Sequence, residues 1–189
     1  MKILTVNRPS ERNPEIIEAA ADMLLPTIWD WVTASSSMEN YPNDEWETVR
    51  LELIRAIKSS TRGFDGYDLA KTIERQSMWE PDAELVDILD SYSRFLNQAH
   101  RDAVKAWVIE NGIIPQKMVG DDVIVSVTRK EYNGTIVSVD LETAQYCVNI
   151  PDLGHEKCNF SVNENNKKIL KITGSGTIGI IKPVEEIDD

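Results

Sequence analysis

Cys147, His155 and Cys158 are the residues best equipped by type to hold a metal ion or act as a nucleophile. Thiolate and imidazole are ordinary zinc ligands, but structural zinc takes ligands paired roughly two to four residues apart on both sides of the site. His155 and Cys158 have that spacing, whereas Cys147 stands alone before them. Period-two alternation sets Cys158 with Phe160 and Val162 on one strand face, and Cys147 with Gln145 and Asn149 on the other. Ordinary strand residues are therefore expected, not a zinc site. A Cys–His nucleophilic pair would also need an oxyanion donor and an orienting third group, and the sequence identifies neither. Gly174-Ser175-Gly176-Thr177-Ile178-Gly179 has the spacing of a dinucleotide-binding loop. That loop works only when a helix follows, because the helix N-terminal amides hold the pyrophosphate. Here Ile180-Ile181-Lys182-Pro183 reads as strand and stop, so a glycine hairpin is expected. His100 lies one helical turn from Leu96 and Val104 and reads as an ordinary helix residue. No Walker run, paired C-x-x-C or H-E-x-x-H is present. The expectation is a protein that is not an enzyme, with no catalytic, cofactor-binding or metal-ligating residue and no cofactor.

Carboxylates are the more abundant chemistry. Glu80, Asp82, Glu84, Asp87 and Asp90 form the densest acidic run, with no basic residue between Arg75 and Arg94. Two readings compete. Near a helix N-terminus such charges favour the dipole, and Asp90 can pair with Arg94 at i, i+4. Alternatively, the run is a docking surface for a basic partner. All five tryptophans (Trp29, Trp31, Trp46, Trp79 and Trp107) precede residue 115. Trp29 and Trp31 project about 200° apart around a helix, so one face cannot bury both. Either Pro26 breaks the helix and two neighbours share the rings, or one indole is left at a seam or partner surface. Trp79 is a hydrophobic staple for packing on Leu85, or an aromatic anchor beside the acidic run. The candidate partner-binding set is Trp79, Glu80, Asp82, Glu84, Asp87, Asp90 and Trp29.

The elements that carry these residues change character near Pro115: apolar residues recur at three and four before it, and at two after it. Asn13 caps a first helix with Pro14 at its first position and Ile17, Leu24, Ile28 and Trp31 on its stripe. A loop is expected from Ser35 to Pro42. Asn43 caps a second helix carrying Trp46, Val49, Leu53 and Ile57. Asp65 caps a third, with Tyr67, Leu69, Ala70 and Ile73 as its apolar side. Pro81 opens a fourth, which runs to Asn111 as one helix of about 30 residues or breaks near Ser91 or Ser93. Gly112 ends it as a C-cap glycine. Strands are predicted at 123–127, 135–139, 146–150, 158–162, 169–172 and 177–181, with Asn133-Gly134 as a tight turn.

The chain has 189 residues, with Lys+Arg 20 and Asp+Glu 32, for a net charge of −12. Apolar residues make up 41%, too much for a disordered chain, and Cys 2 is too few for a disulfide scaffold. The net charge argues against a protein that grips nucleic acid through its overall field. Residues 1–115 hold 12 basic and 20 acidic residues, and residues 116–189 hold 8 and 12. The whole surplus of the second part equals the four acids of Glu185-Glu186-Ile187-Asp188-Asp189, so the acidity belongs to the helices and the tail. No apolar run after Lys2 suits a signal peptide, and Ala19 to Trp31 is interrupted by Asp22 and Asp30. A cytoplasmic location with no membrane segment is expected, and with it reduced cysteines.

The run Val119-Gly120-Asp121-Asp122-Val123-Ile124-Val125, then Asn133-Gly134-Thr135-Ile136-Val137-Ser138-Val139, then Tyr146-Cys147-Val148-Asn149-Ile150, resembles SH3-like barrels of the KOW and Tudor kind. The resemblance spans residues 117–184 and concerns the fold alone, so it implies no activity. The helical part is similar in size and acidity to accessory proteins of phages and mobile elements. The expected architecture is α+β: a helical domain over 1–115, a small SH3-like β-barrel over 116–184 and an acidic tail over 185–189. The expected function is a non-enzymatic protein–protein interaction module acting by occlusion or scaffolding on a partner with a basic surface. One alternative is an acidic, phage-type inhibitor of a nucleic-acid-binding host defence protein. Another is a nucleic-acid-associated barrel using Arg129, Lys130, Lys167, Lys168 and Lys171.

Overall fold

The computed structural model describes residues 8–34, 46–60, 65–77, 79–127, 130–153, 155–161, 169–172 and 178–182. The loop expected at 35–42, the Asn43 cap, the glycines at 174 and 176 and the acidic tail lie outside them. Helices precede strands, so the α+β class stands: among the described residues, five α-helices lead into six strands.

Helix α1 spans Pro14–Ala34 and begins as its sequence dictates, with Asn13 Oδ1 accepting the Glu15 N–H at 3.1 Å. Ile16, Ile17, Ala20, Leu24, Leu25, Ile28 and Trp31 form its buried stripe. Pro26 does not end it; the proline lies on the exposed side and the helix continues through it. Helix α2 covers Trp46–Ser59 and buries Val49, Leu53, Ile54, Ala56 and Ile57. Helix α3 covers Gly66–Gln76, capped by Asp65, whose side chain accepts from the Asp68 N–H at 2.8 Å. The predicted fourth helix is two: α4 at Ala83–Asp90 and α5 at Tyr92–Glu110. The break falls at Ser91, whose hydroxyl donates to the Ile88 carbonyl at 2.6 Å. A serine that bonds the preceding turn competes with helix propagation. At the far end, Gly112 has φ +57. The Ile113 N–H reaches Val108 O at 3.0 Å and the Gly112 N–H reaches Ile109 O at 3.2 Å, a Schellman motif.

Strands β1 (Asp122–Val127), β2 (Lys130–Asp140), β3 (Gln145–Ile150), β4 (His155–Ser161), β5 (Ile169–Ile172) and β6 (Ile178–Lys182) close into a barrel in sequence order. All pairs are antiparallel, and β6 returns to β1 through Ile124↔Lys182 and Val125↔Ile181. Closure satisfies the edge backbone groups that so small a sheet would otherwise leave open. Val123, Val125, Ile136, Tyr146, Val148 and Ile150 form its buried core.

Asn133-Gly134 is not the turn that its sequence suggests. Both residues lie within β2, with Gly134 opposite Val123. A Cβ there would meet Val148 Cγ1 at 2.5 Å and Asn149 O at 2.8 Å, so the glycine serves close packing inside the barrel. The cysteine reading also changes. Residues 146 and 148 pair with 160 and 157, so two residues of β4, Cys158 and Asn159, oppose Cys147 alone. This bulge undoes the alternation that sets the cysteines on opposite faces. Cys147 is disulfide-bonded rather than a reduced thiol, and Cys158 is the chain's other cysteine.

The molecule divides into two compact units. One is Pro9–Ala103; the other holds Arg8 and the chain from Val104 onward. The division runs through α5, so Trp107 packs with Val104, Val108, Ala144 and Ile113 in the barrel's unit. No described helix is long and apolar enough to cross a membrane.

Candidate functional site

The helical unit sorts its carboxylates into two groups. Asp22 holds Arg50 through Nε–Oδ1 at 2.5 Å and Nη2–Oδ2 at 3.0 Å. Glu18 holds Lys58 at 2.5 Å, and Glu74 holds Lys71 at 2.9 Å. Glu80, Glu84 and Asp87 are exposed and make no hydrogen bond or ion pair among the described residues. They stand at the start of α4 and along it, where no basic residue intervenes in sequence.

The other acids of that run have structural duties. Asp82 is the N-cap of α4: its Oδ1 accepts the Leu85 N–H at 2.8 Å and the Trp31 indole N–H at 3.1 Å. Asp90 accepts the Gly66 N–H and does not pair with Arg94. The reason is the break at Ser91, since i, i+4 neighbours meet only on a continuous helix. A Cβ on Gly66 would overlap Val86 O and come within 2.7 Å of Asp90 N, so α3 begins hard against α4 because residue 66 has no side chain.

Trp79 is only 2% exposed. Its ring lies 6.0 Å from that of Trp31, and its indole donates to Glu52 Oε2 at 2.6 Å. It is a core ring and presents no surface to a partner. Trp29 is half-buried, tilted against Trp46 at a centroid distance of 5.5 Å, and Trp46 is 42% exposed. Two neighbours thus share the paired tryptophans without any break at Pro26.

The most exposed aromatic side chain among the described residues is one that the acidic run and the tryptophans do not point to. Tyr67 is 62% exposed, although its sequence position suggests the apolar side of α3. Leu69, Ala70 and Ile73 form that buried side, and residue 67 is about 200° from residue 69 around a helix. That angle is the signal that places Tyr67 outward. Tyr67, Ala70, Lys71 and Glu74 make one wall of a groove of about 250 Å³, and Pro81, Asp82, Ala83 and Val86 make the other. Lys71 Nζ lies 5.8 Å from the Tyr67 ring centroid. The hydrogen bond to Glu74, then its charge, raises the Lys71 pKa. Across the Tyr67–Lys71 ridge lies a polar cleft of about 470 Å³ lined by Ser59, Ser60, Asp68, Thr72, Arg75 and Gln76.

Among the described residues no group of three or more His, Cys, Asp or Glu is placed to hold a metal ion. His100 Nε2 lies 3.1 Å from the Pro9 carbonyl oxygen, so that nitrogen carries a proton and donates. Lys130 and Lys171 sit on β2 and β5, which are not neighbours in the barrel, and Arg129, Lys167 and Lys168 lie outside the described residues. Scans against protein-family models, curated proteins and solved structures each return no match to this chain.

Proposed function

We propose that this protein is a non-enzymatic interaction module that receives a basic, partly apolar segment of another protein in the α3–α4 groove. The observation that carries the reading is the exposed Tyr67 on a groove of mixed apolar and charged lining, whose lining residues Pro81, Ala83 and Val86 adjoin in sequence three carboxylates, Glu80, Glu84 and Asp87, that have no partner among the described residues. Apolar atoms of Tyr67, Pro81, Ala83 and Val86 supply buried area, and the carboxylates select lysine or arginine and speed encounter. Action by occlusion or scaffolding follows from binding alone. A narrower form, inhibition of a nucleic-acid-binding host protein, uses the same acids as phosphate substitutes, and it adds that nucleic acid competes for the partner. The reading places the encounter in the cytoplasm. Thiols are kept reduced in that compartment, so the Cys147 disulfide forms there only under oxidising conditions.

The test is a quantitative comparison of proteins retained from the native host by the wild type and by the triple variant E80K/E84K/D87K. Asp82 and Asp90 stay intact because their loss would damage the fold. A basic partner held by the wild type and lost from the triple variant and from Tyr67→Ala is the expected outcome. Equal retention by all three removes the groove from consideration.

A further inference from the structure

Among the described residues of the barrel's unit, four polar side-chain atoms are buried without a hydrogen-bond partner: Arg8 Nε and Nη2, Trp107 Nε1 and Thr143 Oγ1. They belong to one cluster. Arg8 Nη1 donates to the Thr143 carbonyl at 2.9 Å, and the Arg8 guanidinium carbon lies 5.8 Å from the Trp107 ring centroid. Thr143 is 4% exposed and Trp107 5%. The turn that presents Thr143 is held in place from both sides. Asp140 Oδ1 accepts the Glu142 and Thr143 N–H groups at 3.0 and 3.3 Å, and Ala144 follows at φ +49.

The chemistry of these atoms narrows what they can receive. Arg8 Nε and Nη2 are the two adjacent N–H groups that form the side-on fork for a carboxylate or phosphate. A guanidinium and an indole N–H can only donate. Water can accept from these donors but brings no charge, so only an anionic group both accepts from them and neutralises the buried guanidinium. No carboxylate among the described residues bonds to any of the four atoms. Desolvation lowers the Arg8 pKa to about 10, and the nearby Asp140 charge offsets only part of that.

We propose that Arg8, Trp107 and Thr143 form a buried receptor for one oxyanion group, a carboxylate or a phosphate, seated on the Arg8 fork. The group comes either from a separate anionic ligand or from the chain's own terminal acids, Glu185 to Asp189.

The experiment follows the Trp107 indole ¹H–¹⁵N resonance, identified by its loss in Trp107→Phe. Inorganic phosphate, sulfate or acetate is titrated at constant ionic strength into the full chain and into a chain ending at Val184. A saturable shift in the full chain supports the receptor with an external ligand. A shift only in the shortened chain supports it with the terminal acids as the occupant. In either case Arg8→Gln weakens the apparent affinity by about tenfold or more, the usual scale for a charge-assisted pair. Should that variant fail to fold, Thr143→Val takes its place, with about a fivefold loss for one hydrogen bond. Absence of a saturable shift in both chains, or an affinity unchanged by these substitutions, overturns the proposal. Neither result bears on the α3–α4 groove, which belongs to the other unit.

Discussion

Asp82 shows how one side chain of an acidic run can be structural while its neighbours are not. It caps α4 and also satisfies the buried Trp31 indole. Asp82→Ala removes the cap and leaves a buried donor without a partner, so it should cost about 2–3 kcal/mol. A fall in the denaturant midpoint with an unchanged m-value checks this. Glu84→Gln, two residues on in the same first turn, loses only a favourable charge at the helix N-terminus and should cost less than about 1 kcal/mol in the same assay. The contrast separates acids that hold the helix from acids free to meet a partner. The caps at Asn13, Asp65 and Gly112 were legible because capping depends on residues within a few positions of one another. The outward position of Tyr67 is legible in the same local way, from its angle to Leu69, whereas the meeting of Arg8 with Trp107 and Thr143 is not, because Arg8 and Thr143 lie 135 positions apart in sequence.

At the scale of elements, close approach decides where helices and strands end. Helix α3 meets α4 at Gly66, and Gly66→Ala should destabilise the helical unit by about 1–3 kcal/mol through overpacking against Val86 O and Asp90 N. Thermal unfolding followed by far-ultraviolet circular dichroism measures it. The turn between β2 and β3 has its own constraint: Ala144 is fully buried at positive φ. Ala144→Val brings a β-branched side chain into a left-handed, closed position and should cost about 2 kcal/mol or more. The bulge between β3 and β4 has a redox consequence. Cys147 should be inert to a thiol reagent in the unfolded, unreduced chain and reactive after dithiothreitol, and reduction should lower stability by about 3 kcal/mol, the scale for a short closed loop. A thiol titration before and after reduction, paired with denaturant melts, tests both statements.

For the molecule as a whole, the net charge of −12 sets a long-range field, while three unpartnered acids beside one groove give that field a place to act. Association with the partner recovered in the pull-down should therefore be steered. Raising the salt from about 0.05 to about 0.5 M should slow association by about tenfold and change dissociation far less, as stopped-flow or surface-binding kinetics would register. An association rate indifferent to salt would leave the acids without a role in the encounter.

The sequence by itself determined what depends on local pattern. The change from helical to strand period near residue 115 predicts helices followed by a small barrel, and that α+β architecture is the one observed. Helix caps, the C-terminal glycine and most strand positions follow from the same short-range rules. Tertiary structure alone decided which polar groups are used up and which are left over. Trp79 turned inward because Trp31 and Glu52 wait for it from other helices. Asp90 chose the Gly66 amide over Arg94. Gly134 and Cys147 took their roles from the strands packed beside them. Period reports the face that a residue occupies on its own element, whereas the partner across that face is set by long-range packing, which no local spacing encodes.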